Sequence, residues 1–452
     1  MTLLVLGLSG PVLATGPAHA AGPDIGRPAD APLRAAFDAA AQRYDVPRDL
    51  LVALGYAETR LDGHGGQPSA SNGYGIMHLT SNPQVRTLDE AATLTRLDRQ
   101  TLRTDPAANV TGAAAVLRSY ADRAGLTAAQ RADIDHWYGP IVRYGGANGP
   151  ALDRLYADTV YDLLASGLTA PGTGLAVQAR PVTPERGELA GVAAPGTGDV
   201  GTMSTDYGPA AWVPASTSNY TVSSRPSSYR INYIVIHVTQ GSYSSAINWF
   251  QNPAAQVSAH YTFRSSDGAV TQSVREKDIA WHAGNWTYNT QSIGIEHEGY
   301  VDNPAWFTDT MYRASAALTR TLADRYGIPK DRTRIIGHNQ VPGATHTDPG
   351  PNWNWNYYMQ LVTGSGSTTG TGTVNTEGSS LNVRSGPGTG YSIVGSVADG
   401  AVVTIYCQTT GTTVTGTYGT SNIWDRIGTG RYISDAYVLT GHDGFIPGGP
   451  RC

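Results

Sequence analysis

The chain has only two cysteines among its 452 residues, Cys407 and Cys452, so at most one internal disulfide can form. In an oxidising compartment a single loop-closing bridge is their natural use; two free thiols are the other reading. Charge is also sparse. Charged residues make up 15% of the chain, the formal net charge is −5, and no stretch is strongly basic. That removes the electrostatic footprint of a nucleic-acid binder and the polybasic patch of a membrane-surface anchor. Past the first 20 residues no apolar run is long enough to span a bilayer. Nothing in the pattern asks for an obligate oligomer, and a monomer is expected. The opening segment MTLLVLGLSGPVLATGPAHA lacks the Lys or Arg of a leader's n-region. Its apolar run nevertheless ends in Ala18-His19-Ala20, a small-x-small site, so residues 1–20 read as a signal peptide and the protein as secreted; a buried strand is the alternative.

Glycine, by contrast, is plentiful, at 54 residues, and clusters with proline and threonine. Such clusters mark boundaries in a chain whose length suggests about three domains at ~150 residues each. Residues 171–215 and 363–376 have no sustained hydrophobic period and read as linkers. Residues 29–170 read as helical: "LRAAFDAAAQRYD", "RDLLVALGYAETR" and "AANVTGAAAVLRSYADRAG" repeat apolar residues at three-and-four spacing. Residues 216–362 mix the short strands "INYIVIHVTQ" and "SIGIEHEG" with the helix "TDTMYRASAALTRTLADRYG", which ends at Gly327, and predict an α/β domain with a mixed sheet. Residues 377–452 carry short alternating runs between glycine turns and predict a small all-β barrel.

Chemistry concentrates in the middle segment. His237 ends the strand "YIVIH", His338 follows "RIIGH", and Asp348 lies ten residues further on, after a Pro- and Gly-rich loop that can fold back. Strand ends are rigid and open at the rim of a sheet. Two imidazoles and one carboxylate leave the fourth tetrahedral position of Zn2+ open for water, which is the composition of a catalytic metal site. Each residue alone is more often a structural or surface group.

Residues 216–362 resemble the zinc-dependent N-acetylmuramoyl-L-alanine amidases, which include T7-type phage lysozymes, anhydromuropeptide amidases and peptidoglycan recognition proteins. The resemblance rests on "VIHVT" at 235–239, "SAHYTF" at 258–263, "AWHAG" at 280–284, "SIGIEHEG" at 292–299 and "GHNQVPGATHTDPGP" at 337–351, in that order. It implies His237, His338 and Asp348 as zinc ligands and Glu296 as the acid/base carboxylate. His346 stands where many members carry a Lys that stabilises the oxyanion, Tyr261 where a Tyr often approaches the metal, and Trp281 and His282 where residues line the peptide groove. The implied reaction is hydrolysis of the amide bond between N-acetylmuramic acid and L-alanine in cell-wall peptidoglycan.

The flanking segments carry weaker resemblances. "VPRDLLVALGYAETRLDGHGG" and "NGYGIMHLT" are similar to goose-type lysozymes and lytic transglycosylases, where a helix-end Glu, here Glu58, protonates a glycosidic oxygen. "GIMH" departs from the family's "GLMQ", and no second carboxylate can be assigned. The tail, with "LNVRSGPGTGYSIVGSV" and "WDRIGTGRYISDAYV", resembles bacterial SH3-like wall-binding domains. There Trp424, Tyr432 and Tyr437 read either as core or as a ligand face. Two other functional readings stand beside the amidase: a non-catalytic peptidoglycan recognition protein, and a bifunctional hydrolase with Glu58 also active.

Overall fold

The computed structural model describes residues 31–170, 172–193, 203–363 and 370–452, apart from 429, 443, 448 and 450. The expected signal peptide, 1–20, lies outside the described residues.

The N-terminal region is helical, as expected. Its helix α1, Arg48–Thr59, buries Leu50, Leu51, Val52, Ala53 and Leu54 and ends in a left-handed residue, Arg60, whose N–H bonds back to Tyr56. Helix α2, Pro150–Ser166, starts with proline at its first turn, where the missing N–H costs nothing, and packs Leu155, Val160 and Leu164 inward. Two short hairpins interrupt the helices, Gly73–Tyr74 with Leu79–Thr80 and Leu168–Ala170 with Leu175–Val177.

The central region is built on a six-stranded sheet. Its strands are β1 (Ala211–Trp212), β2 (Tyr233–Val238), β3 (Tyr261–Phe263), β4 (Val270–Gln272), β5 (Ser292–His297) and β6 (Ile335–Gly337), in the spatial order β6-β2-β5-β3-β4-β1. Only β3 and β4 are antiparallel, so the sheet is mixed. One face, with Ile234, Ile236, Ile293 and Ile295, packs against helices α4 (Asp309–Tyr326) and α5 (Trp355–Thr363). Helix α4 turns Met311, Leu318 and Leu322 inward, is capped by Thr308 accepting from the Met311 N–H, and stops at Gly327 with φ 66°. Each such fully buried side chain contributes roughly 1.5–3 kcal/mol. The other face carries the polar side chains described below, with helix α3 (Tyr243–Gln251) following β2.

The C-terminal region is all β, in sheets of three and five strands around Val374, Val383, Ile405, Ile433 and Val438. Cys407 and Cys452 are disulfide-bonded. Trp424 belongs to the interior, 2% exposed with its Nε1–H on the Thr412 carbonyl, whereas Tyr432 and Tyr437 are half-buried.

Both linker expectations need correction. In 171–215, Leu175 and Val177 enter the helical core and Ala211–Trp212 becomes the edge strand β1. In 363–376, Gly370–Val374 is the central strand of the three-stranded sheet, and a Cβ on Gly372 would lie 2.3 Å from Val438 Cγ1. Strands of two to five residues are too short to show a period, and glycine that permits close packing looks in sequence like glycine that permits flexibility.

Candidate active site

Three adjacent parallel strands line up the polar groups. Register pairs Glu296 of β5 with His237 of β2, and Gly337 of β6 with Ile236, which sets His338 beside His237 on the other side. All three sit at the carboxyl ends of their strands, the usual mouth of a parallel sheet. The loop after His338 folds back through Asn339 N–H to Asp348 C=O, 2.9 Å, and delivers Asp348 between the two imidazoles. Its Oδ2 is 3.3 Å from His237 Nδ1 and its Oδ1 is 3.1 Å from His338 Nδ1. All three side chains are buried, and one candidate ligand atom from each lies within 4.8 Å of the others.

The hydrogen-bond network decides which nitrogen of His237 is free. Ser292 donates its hydroxyl to the Tyr288 carbonyl, so its Oγ accepts from His282 Nε2–H at 3.0 Å. His282 Nδ1, left without a proton, then accepts from His237 Nε2–H at 2.9 Å. His237 Nδ1 therefore points an unprotonated lone pair at the Asp348 carboxylate, and burial, which lowers the His237 pKa to about 4, keeps the ring neutral. Two facing acceptors repel each other unless a cation lies between them. The donor set, two imidazoles and a carboxylate, is one that suits zinc.

Glu296 is half-buried, with Oε2 cut off from solvent and without a hydrogen-bond partner. Burial, and then the charge of Asp348, raise its pKa well above the usual carboxylate value. His346 is exposed and stacks on His338, ring centroids 4.6 Å apart and planes within 16°. Together with Trp281 and His282 these groups border a groove of about 990 Å³.

Three expectations change here. Tyr261 is not in the groove: register pairs it with Ile295, on the core face, where its hydroxyl donates to Glu276 Oε1 at 2.5 Å. Its neighbour His260 takes the opposite face, its ring 5.7 Å from that of His282. His282 borders the groove, but both its nitrogens are engaged, so it positions His237 and has no free nitrogen for a peptide. A Cβ on Gly294 would meet the His282 ring at 2.4 Å, so glycine is required where that ring lies on β5. Glu58 is 3% exposed, with Oε1 accepting from Tyr156 at 2.5 Å and Oε2 from Ser242 at 3.1 Å. The cavities beside it measure only about 20 and 10 Å³, so a sugar cannot reach it.

Residues 227–351, which hold His237, Glu296, His338 and Asp348, match the N-acetylmuramoyl-L-alanine amidase family. Over 162 residues the chain is 41% identical to N-acetylmuramoyl-L-alanine amidase A of Achromobacter lyticus, covering 32% of this chain and 88% of that protein. The chain belongs to the N-acetylmuramoyl-L-alanine amidase family. It is an amidase and a peptidoglycan hydrolase. Residues 379–439 of the amidase match the bacterial SH3 domain family. It is also 51% identical over 86 residues to the uncharacterized protein YraJ of Bacillus subtilis (strain 168), covering 17% of this chain and 70% of that one. Among solved structures, a selenomethionine derivative of AmpD covers 35% of the amidase chain and 98% of its own, at 28% identity and a TM-score of 0.29.

Proposed function

We propose that this amidase is secreted, depends on zinc held by His237, His338 and Asp348, and cleaves the bond between N-acetylmuramic acid and the L-alanine of the stem peptide. The observation that carries this reading is the meeting of three buried ligand atoms at parallel strand ends, with Glu296 in register beside them. When bound, zinc supplies polarisation of the scissile carbonyl and a lowered pKa for water. Glu296, its Oε2 free of partners, takes a proton from the attacking water and returns it to the leaving amide nitrogen. His346, exposed at the groove mouth and oriented by its stack on His338, donates to the carbonyl oxygen as charge develops there. Trp281, its Nε1–H tied to Thr221 Oγ1 at 3.0 Å, offers its ring to the stem peptide. The C-terminal SH3-like unit holds the enzyme on wall polymer and so raises local substrate concentration.

The recognition-protein reading is disfavoured because all three ligand positions keep competent side chains. Residues 29–170 keep their lysozyme-like reading as a fold, while the burial of Glu58 argues against a glycan-cleaving role. The test uses the full chain on purified cell wall. Zinc near one per chain with chelator-sensitive release of stem-peptide amino termini is expected, and Asp348→Ala should lose both. Release that persists unchanged without zinc would refute the metal assignment, and a zinc-loaded protein that binds wall without releasing amino groups would restore the recognition reading.

A further inference from the structure

The groove is not built by the central sheet alone. Pro68, Ser69 and Ala70, from the helical region, also border it. The Ala70 N–H donates to the Gln240 carbonyl at 3.1 Å, three residues past the metal-site His237. Buried polar contacts hold this loop in place. Ser69 Oγ lies 2.7 Å from His78 Nε2 and accepts from the Gly73 N–H at 2.9 Å. His78 Nδ1 in turn lies 3.4 Å from Glu58 Oε2, the oxygen that accepts from Ser242 at the N-cap of helix α3. Burial keeps His78 neutral.

Apolar and cationic contacts fix the same junction. Leu152 and Leu155 of α2 pack with Val213, Tyr243 and Ile247. The Arg60 guanidinium lies over the Trp306 ring at 4.1 Å and donates to Ser265 Oγ at 3.0 Å. The loop is therefore tied down from beneath, while Pro68 and Ala70 stay exposed, small and uncharged. A rigid apolar lip in a groove that also holds Trp249 and Trp281 suits the faces of sugar rings and N-acetyl methyl groups.

We infer that the Pro68–Ala70 loop is a substrate-binding wall of the amidase, contacting the saccharide part of a disaccharide-peptide fragment, and that Glu58 and His78 are positioning residues for that wall. This inference rests on the amidase reading of the groove. It gives the helical region a role in specificity without chemistry of its own.

The experiment measures binding and turnover separately, on the full chain. Ala70→Trp and, independently, Pro68→Trp place bulk on exposed positions, so folding and zinc content should be unchanged. Calorimetric titration of a soluble disaccharide-tetrapeptide into zinc-loaded protein should show Kd raised at least tenfold in both variants, with KM raised in parallel and kcat within about twofold. A bare tetrapeptide with an N-terminal lactyl-amide should show no such loss, which separates contact with saccharide from general damage. Kd and KM within twofold of the parent in both variants would overturn the inference. A parent that binds the fragment but never cleaves it would instead sink the catalytic reading and leave the wall intact.

Discussion

Replacing Glu296 by Gln separates catalysis from folding in one substitution. Gln fills the same space beside His237 but can neither take nor return a proton. Losing a general acid/base typically costs 10²–10⁴ in rate, or about 3–5 kcal/mol of transition-state stabilisation. Stability should move the other way. Glu296 Oε2 is buried without a partner and faces the charge of Asp348. An unsatisfied buried polar atom costs about 1–3 kcal/mol, and a neutral amide relieves the like-charge part of that cost. The metal-free variant should therefore unfold at the same temperature as the parent or a few degrees higher. Initial rates of amino-group release, zinc content and thermal unfolding with chelator present form the assay. A kcat within threefold of the parent would refute the proton-transfer role. Loss of zinc would show that Glu296 holds the ligands in place and has no separate part in turnover.

Other outcomes follow from the same geometry. Gly294→Ala should push the His282 ring off β5 and disturb the His237 tautomer, lowering zinc affinity by 10- to 100-fold in a competition titration while most of the fold persists. In the C-terminal unit, burial, and then the neighbouring Asp435, raise Asp425 to about 7, while Asp435 itself is raised to about 6. An acid raised above its unfolded value of ~3.9 gives stability that is complete below that pH and is lost as pH climbs to about 7. Denaturant melts should show this unit losing on the order of 4 kcal/mol over that window, and Asp425→Asn should flatten the dependence. Cutting the Cys407–Cys452 bridge, which spans 45 residues, should cost about 4 kcal/mol of loop-closure entropy, measurable as a lower denaturation midpoint of Cys452→Ser.

His237 and His338 were legible as a pair because they mark the ends of β-branched strands, and strand ends in a parallel sheet converge; Asp348 reaches them through the loop that folds back, whereas Glu296 was selected only by the family resemblance. Tyr261 was misplaced because β3 is three residues long, and so short a run does not reveal that Tyr261 turns to the core. His282 was read as a groove residue, but its use as the partner of His237 depends on a contact across 45 residues of chain that no local pattern encodes. Glu58 looked like an acid at a helix end. Its burial depends on Ser242 and Tyr156, 184 and 98 residues away, so only the packed structure could show it. Trp249 and the Pro68–Ala70 loop went unnoticed for the same reason: they become one surface only when two regions pack together.

Strand β1 has a practical bearing on how this enzyme can be divided. Ala211 and Trp212 lie along β4, and Val213 and Ala215 continue the contact through hydrogen bonds to Gln272 and Ser273. A fragment begun at residue 216, where the sequence first looks folded, would strip β4 of its outer neighbour and leave a row of unpaired amides facing water. Such a naked border recruits other chains. The smallest soluble piece should therefore begin near Met203, whose bridge to Ala211 closes that border.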